Sequence, residues 1–254
     1  MVPKFLIPEY EYDLVRLGRN YDGGYLVEKY SIENSKFLLS AGMAWDFSFE
    51  KDYLKKTGKT IYCYDHTLNF QYFFFTWLFI FFKRLILFKS LKKIFKAFNN
   101  IFLPIKFRNF FKNKKTNYIK FGLGLSDNRV KTLDEIIFDC QLDKDIFIKI
   151  DIEGDEYRIL DDLAKHSDKI IGLVIEFHNS DLHYDQIEKF IKDFELKIVH
   201  LHANNSGPLN KYGDPTILEV SFAKDPQKIG PFKSVHNNLD QPNIKNKKDI
   251  DLKF

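Results

Sequence analysis

The chain has 254 residues, of which 44% are hydrophobic and 29% charged, a balance that excludes a disordered chain or a bundle of membrane spans and leaves room for one large core. Its formal net charge is only +4, which argues against a protein coated for binding nucleic acid. The two cysteines, Cys63 and Cys140, lie far apart and form no CxxC pair, so neither a zinc site nor a redox motif is suggested and a reducing cytoplasm fits.

Residues 1–13 carry an apolar stretch too brief, before Glu9 and Glu11, for a secretory signal, so a soluble cytoplasmic protein is expected. Asp22-Gly23-Gly24-Tyr25 reads as a hairpin turn, or as a turn whose backbone wraps a ligand. Residues 36–41 (KFLLSA) form a buried first strand that ends in a small-residue turn at Gly42, followed by a helix over 46–56 and a second strand over 60–64. A third strand is expected at 118–123, a helix at 132–140 and a fourth strand, IFIKI, at 146–150. Helices at 156–165 and 184–194 then alternate with strands at 170–176 and 196–201, and 216–222 is a last strand. Such alternation specifies an α/β, Rossmann-like sheet, mostly parallel with the last strand antiparallel, covered by helices on both faces. No internal repeat is visible, and a single domain over 1–254 is expected.

Residues 69–117 interrupt this order as a Phe- and Lys-rich helical insertion. Its apolar run at 70–82 is too short to span a bilayer, for which about 20 apolar residues are needed. No Asp or Glu occurs from His66 to Ser126, while Lys and Arg recur from Lys83 to Lys120. Two readings stand: an interfacial element at 70–115 making peripheral contact with anionic lipid at the inner membrane face or with a polyanionic substrate, or a subdomain packing its rings on the core or on a second subunit. An aromatic insertion of this size favours a homodimer over a monomer.

Three features point to a nucleoside cofactor. Small residues at Ser40-Ala41-Gly42-Met43-Ala44 let backbone approach a ligand at the carboxyl end of the sheet. Asp65, about twenty residues after Gly42 and at the end of the second strand, can accept hydrogen bonds from both ribose hydroxyls. The turn is not GxGxxG, so a cofactor with a ribose but no pyrophosphate suits it better than a nicotinamide dinucleotide. The third feature is the paired glycine turn at 22–25.

With these in place the sequence resembles the FkbM-type methyltransferases. The resemblance is carried by Arg16-Leu17-Gly18 with Asp22-Gly23-Gly24-Tyr25, by LSAGMAWDFSFE from Leu39 to Glu50, by YDHT from Tyr64 to Thr67, by Gly124-Leu125-Ser126-Asp127 and Thr132-Leu133-Asp134, and above all by KIDIEGDE from Lys149 to Glu156. Ile175-Glu176-Phe177-His178, His202-Ala203-Asn204-Asn205, Leu218-Glu219-Val220 and Gln241-Pro242-Asn243 also fit, so it covers most of the chain outside the insertion. The insertion, and a first-strand turn with a single glycine, depart from the general pattern.

This resemblance implies methyl transfer from S-adenosylmethionine to an oxygen, on a sugar hydroxyl of a nucleotide-sugar, capsule or surface-glycan precursor. By motif, Gly42 and its neighbours would line the methionine part, Asp65 the ribose, and Ser126 and Asp127 the neighbourhood of the adenine. The full expected cofactor set is Asp22, Gly23, Tyr25, Ser40, Gly42, Met43, Glu50, Asp65, His66, Ser126 and Asp127.

Methyl transfer needs positioning and a base or cation beside the acceptor. Strand ends supply Lys149, Asp151 and Glu153, then Glu176 and His178, then His200, His202 and Asn204. If neighbouring strands bring their ends together, Asp151, Glu176 and His202 could bind Mg²⁺ or Mn²⁺ and lower the pKa of an acceptor hydroxyl. The competing reading makes His178 a general base with Asp151 holding the acceptor. A nucleic-acid methyltransferase and a non-enzymatic membrane-surface protein are the alternatives; the first lacks an Asn/Asp-Pro-Pro-aromatic run for gripping a flipped base, the second leaves the ordered acids and histidines unexplained.

Overall fold

The computed structural model describes residues 2–254. The central sheet comprises β1 (Phe37–Ala41), β2 (Thr60–Tyr64), β3 (Thr116–Ile119), β4 (Ile146–Ile150), β5 (Ile170–His178), β6 (Lys197–Ala203) and β7 (Ile217–Ala223). These seven strands lie side by side in the order β3-β2-β1-β4-β5-β7-β6. The strands run parallel apart from β7, which is antiparallel to both β5 and β6. This is the α/β, Rossmann-like sheet with an antiparallel last strand that the alternation specifies. Because the chain builds outward from β1 to β3 and then returns to β4 on the other side, β1 and β4 flank a topological switch point, where open α/β sheets bind ligands.

The strands are continuous apolar runs because helices cover both faces. All five residues of β4 are buried, Lys149 among them. The helices are α1 (Lys29–Asn34), α2 (Ser48–Thr57), α3 (Phe70–Ile86), α4 (Leu91–Ile101), α5 (Leu103–Phe110), α6 (Leu133–Asp139), α7 (Leu160–Lys165) and α8 (Tyr184–Asp193). Local chemistry sets their ends. The Thr132 side chain caps α6 while Glu135 reaches back to the Thr132 backbone, and α2 stops at Gly58, whose φ of 65° only glycine adopts cheaply.

Two expected elements differ. The third strand runs over Thr116–Ile119; the chain then leaves the sheet, and Gly122–Leu123 pairs instead with Val130–Lys131. The helix expected over 156–165 opens as a separate 3₁₀ turn, Glu156–Arg158, because the buried Glu156 side chain turns back on the preceding loop. The insertion is helical, as expected, and consists of α3, α4 and α5. It is pinned to the core by ring contacts of Trp45 with Phe70, Phe47 with Phe110, and Phe107 with Tyr118, at centroid distances of 5.0, 5.2 and 5.1 Å.

Residues outside the sheet close over it from both ends of the chain. Leu14–Gly18 and Gly24–Glu28 form the hairpin read at Asp22-Gly23, and Ser221 of β7 donates to the Leu26 carbonyl. The C-terminal segment folds back: the Asp22 amide donates to the Asn243 carbonyl at 3.2 Å and the Val2 amide to that of Lys253 at 2.7 Å.

Gly172 shows how tightly α1 is seated. A Cβ there would lie 2.6 Å from the Phe147 ring and 3.0 Å from the Ser31 side chain, both fixed by packing. Gly172→Ala is therefore expected to destabilise the fold by about 1–3 kcal/mol through overpacking. Urea titration should show a lower midpoint with an unchanged slope; an unchanged midpoint would mean that α1 is free to shift.

Candidate active site

The carboxyl ends of β1, β2, β4, β5 and β6 border two cavities. The smaller, about 130 Å³, lies over β1 and β2 and is walled by Gly42, Asp65, His66, Leu123, Val130 and Ile152. The larger is a cleft of about 740 Å³ over β4 and β5, lined on the sheet side by Lys149, Asp151, Glu176 and His178 and on the far side by Phe73, Trp77 and Lys96 of the insertion. Ala44, Asp151 and Glu153 border both.

Asp65 is buried, and its carboxylate is held from three sides. The Ala44 amide donates to Oδ2 at 2.8 Å, and the Thr67 amide and hydroxyl donate to Oδ1 at 2.8 and 2.6 Å. An ionised carboxylate offers about four acceptor sites. Roughly one therefore stays open toward the cavity, where the sequence led us to expect room for two ribose hydroxyls.

Gly42 has a φ of 71°, and a Cβ on it would sit 1.6 Å from the Asp151 carbonyl oxygen. The glycine is thus required by the backbone of β4. Of the other expected cofactor residues, His66 shares the small cavity with Gly42 and Asp65, while Asp22, Gly23, Tyr25 and Met43 line the large cleft. Ser40 and Glu50 line neither: both are fully buried, and the Ser40 hydroxyl donates to Glu50 at 2.5 Å. Ser126 and Asp127 are exposed and also outside the small cavity, whose wall there is Gly122, Leu123 and Val130 instead. Nothing in composition marked Gly122, but a Cβ on it would meet His66 Nδ1 at 2.6 Å, and the Gly122-Leu123-Gly124 run is the available signal.

The centre of the cleft is a chain of oxygens, from half-buried Asp151 to buried Tyr25 and Glu176. Tyr25 Oη lies 3.1 Å from Asp151 Oδ2 and 2.9 Å from Glu176 Oε2. A phenol has one proton and cannot donate to both. Burial, with the charges of Glu219 and Asp151, pushes the Glu176 carboxyl well above the usual range, and the one phenol proton is shared between it and Asp151. The Asn204 side-chain amide donates to the other Glu176 oxygen at 2.9 Å.

Two cations face this chain. Lys149 is buried in β4; its ammonium donates to the Gly42 carbonyl at 3.1 Å and stands 3.9 Å from Asp151 Oδ2. Burial opposes its charge, but Asp151, Glu50 and Glu176 outweigh that and raise its pKa. His178 Nδ1 is 3.0 Å from Glu156 Oε1, and Nε2 faces Glu153 and Glu176 at 3.5 and 3.8 Å. Burial again opposes the charge, yet the Glu156 hydrogen bond and the nearby carboxylates raise the imidazole to about 9. His178 therefore holds its proton at neutral pH and is poorly suited to the general-base role the sequence suggested. Glu156, which also accepts from the Ile152 and Gly154 amides, was missed because the KIDIEGDE run draws the eye to its first acids.

The expected metal triad Asp151, Glu176 and His202 does not assemble. The antiparallel β7 lies between β5 and β6, so Glu176 pairs across the sheet with Glu219, and Glu219 with His202. The His202 ring is engaged on both sides, by Glu219 at 3.1 Å and Asp249 at 3.2 Å. Among the described residues the group able to converge on an ion is Asp151, Glu153 and His178, with ligand atoms within 4.8 Å of one another.

His202 belongs to a second network, completed by Asn243, which donates to Glu219 at 2.7 Å. Burial disfavours its charge, but Asp249 and Glu219 raise its pKa to about 10. A raised folded-state pKa contributes stability that is complete below the unfolded value of about 6.5 and is lost as pH climbs through about 10. The melting temperature should thus fall across that window. His202→Gln should flatten the fall and lower stability by about 3–5 kcal/mol at neutral pH, by leaving two acids without their cation; a wild-type slope in the variant would remove His202 from the account.

No protein-family model matches the sequence, and no match was found among curated proteins. Among solved structures, the chain is similar to a candidate RNA methyltransferase of Pyrococcus horikoshii, at 11% identity over 76% of each chain with a TM-score of 0.40. It is also similar to precorrin-6y C5,15-methyltransferase of Geobacter metallireducens, at 11% identity over 76% of this chain and 82% of that one, TM-score 0.36. A third is geranyl diphosphate methyltransferase in complex with geranyl diphosphate and sinefungin, at 9% identity over 74% and 72%, TM-score 0.35. Likenesses at such identities and TM-scores say nothing of substrate.

Proposed function

We propose that the chain is an S-adenosylmethionine-dependent O-methyltransferase of the FkbM type, acting on a hydroxyl of a sugar or nucleotide-sugar. The observation that carries the reading is the common border of the two cavities at Ala44, Asp151 and Glu153, which suits transfer of a small group between two ligands. The smaller cavity fits a nucleoside: Leu123, Val130 and Ile152 offer apolar walls for a base, and Asp65 an acceptor for a ribose hydroxyl. Lack of a pyrophosphate-binding glycine run favours this donor over a dinucleotide.

When bound, S-adenosylmethionine supplies a sulfonium-activated methyl group. This chain's residues handle the acceptor. Asp151 receives the hydroxyl proton as the acceptor oxygen takes the methyl group, while Lys149 and imidazolium His178 offset the charge of the surrounding carboxylates. Trp45, Phe73 and Trp77 give the cleft an aromatic wall that excludes water and stacks on the apolar face of a sugar ring. Two resident cations next to Asp151 supply the positive charge for which a divalent ion would otherwise be invoked, so no step requires Mg²⁺ or Mn²⁺.

Thermal melting should rise with S-adenosylhomocysteine and not with NAD, by mass action on the native state. Asp65→Ala should abolish that rise. Asp151→Asn should keep it while lowering transfer from labelled S-adenosylmethionine to a panel of nucleotide-sugars by about 10²–10⁴-fold, and exhaustive EDTA dialysis should leave turnover unchanged. A rise with NAD alone would refute the methyl-donor reading, and loss of turnover on chelation would restore a metal.

A further inference from the structure

We propose that the α3–α4 pair docks on an anionic lipid bilayer. No residue of α3 is buried. Phe75, Phe79, Phe82 and Ile86 of α3 are exposed, recurring at steps of four, three and four and therefore forming one stripe. Leu91, Phe95, Phe98 and Phe102 of α4 repeat the same spacing, exposed in the same way. The stripes meet near the α3–α4 turn, where Phe88 is 95% and Leu91 85% exposed. Apolar patches of this extent on a water-soluble surface mark an interaction site.

Charge selects the occupant. Lys83, Arg84, Lys89, Lys92 and Lys93 surround the apolar turn, and no carboxylate occurs between His66 and Ser126. A two-fold contact between copies of this chain would set the same basic surface against itself with no acid to answer it. An anionic bilayer offers the opposite charge at the headgroups and an apolar layer just beneath, which matches aromatic side chains flanked by Lys and Arg. No helix among the described residues is long and apolar enough to cross a membrane, so the element lies on the surface rather than spanning it.

The same two helices wall the cleft through Phe73 and Trp77 on α3 and Lys96 and Asn100 on α4. These four residues lie on the faces of α3 and α4 opposite the exposed stripes, so docking through the stripes leaves the cleft turned away from the lipid. The docking does not rest on the methyltransferase reading.

Co-sedimentation of the full chain with vesicles tests it. Binding is expected to vesicles of phosphatidylglycerol mixed into phosphatidylcholine at low salt, to weaken at high salt, and to be absent with phosphatidylcholine alone. Phe88→Asp with Leu91→Asp, both at an exposed turn, should weaken vesicle binding roughly a hundredfold while the S-adenosylhomocysteine melting shift stays as in the wild type. The proposal fails if the wild type ignores the anionic vesicles, if the double variant binds them equally, if a single-stranded RNA outcompetes them, or if the wild type is a dimer that the double variant dissolves. Vesicle binding without any S-adenosylhomocysteine shift would uphold the docking and sink the methyl-donor reading, so the two failures are distinguishable.

Discussion

Three acids at the ends of neighbouring strands govern the arrangement of this molecule: Asp151 after β4, Glu176 in β5 and Glu219 in β7. Glu176 and Glu219 are buried. A buried carboxylate without compensation costs several kcal/mol, so each must have a cation, a proton or donors against it. Lys149 and His178 stand beside Asp151 and Glu176, and His202 beside Glu219. Neutral donors come from segments distant in sequence, Tyr25 from the N-terminal hairpin and Asn243 from the C-terminal segment. The two ends of the chain are thereby tied to the sheet by the needs of the same row of acids. Polar satisfaction, as much as apolar packing, explains why the hairpin and the tail close where they do.

The antiparallel β7 divides that row in two. It is inserted between β5 and β6, and adjacent strands are about 4.8 Å apart, so His202 lies roughly 10 Å from β5. Lys149, Asp151, Tyr25, Glu176 and His178 are left facing the cleft. His202, Glu219, Asn243 and Asp249 form a second cluster whose bonds are internal to the protein. The first cluster combines a carboxyl pushed well above its usual range by burial, a phenol, a second carboxyl and an ammonium held next to one another, which is an arrangement suited to moving a proton.

Much of the sheet was legible because parallel strands buried on both faces are short apolar runs, as KFLLSA, TIYCY and IFIKI show. Gly42, Asp65, Lys149 and Asp151 could be singled out for a similar reason: a polar or small residue where such a run ends has few purely structural uses. What stayed hidden was anything set by contact between segments far apart in the chain. The sequence does not reveal that β7 parts β5 from β6, hence His202 seemed a partner for Glu176. Nor does it show that Ser40 donates to the buried Glu50, or that Gly122, rather than Ser126, faces the small cavity. Glu156 lay in plain view but at the end of a run of acids, and only its two amide contacts and its bond to His178 separate it from its neighbours.

The spacing between the two cavities is fixed by backbone hydrogen bonds and one buried side chain. The Gly42 amide donates to the Tyr64 carbonyl and the Asp151 amide to the Ala41 carbonyl, each at 3.0 Å, so the turn after β1 is stitched to the ends of β2 and β4 together. Lys149 adds a third tie by donating to the Gly42 carbonyl. Any side chain at position 42 would collide with the Asp151 carbonyl, and relieving that collision would drive the β1 turn away from β4. The smaller cavity and the carboxyl end of β4 would then separate by the same displacement. Group transfer tolerates little of this, since a misplacement of about 1 Å can cost a hundredfold in rate. Gly42 thus holds the β1 turn against β4, and with it the common border of the two cavities.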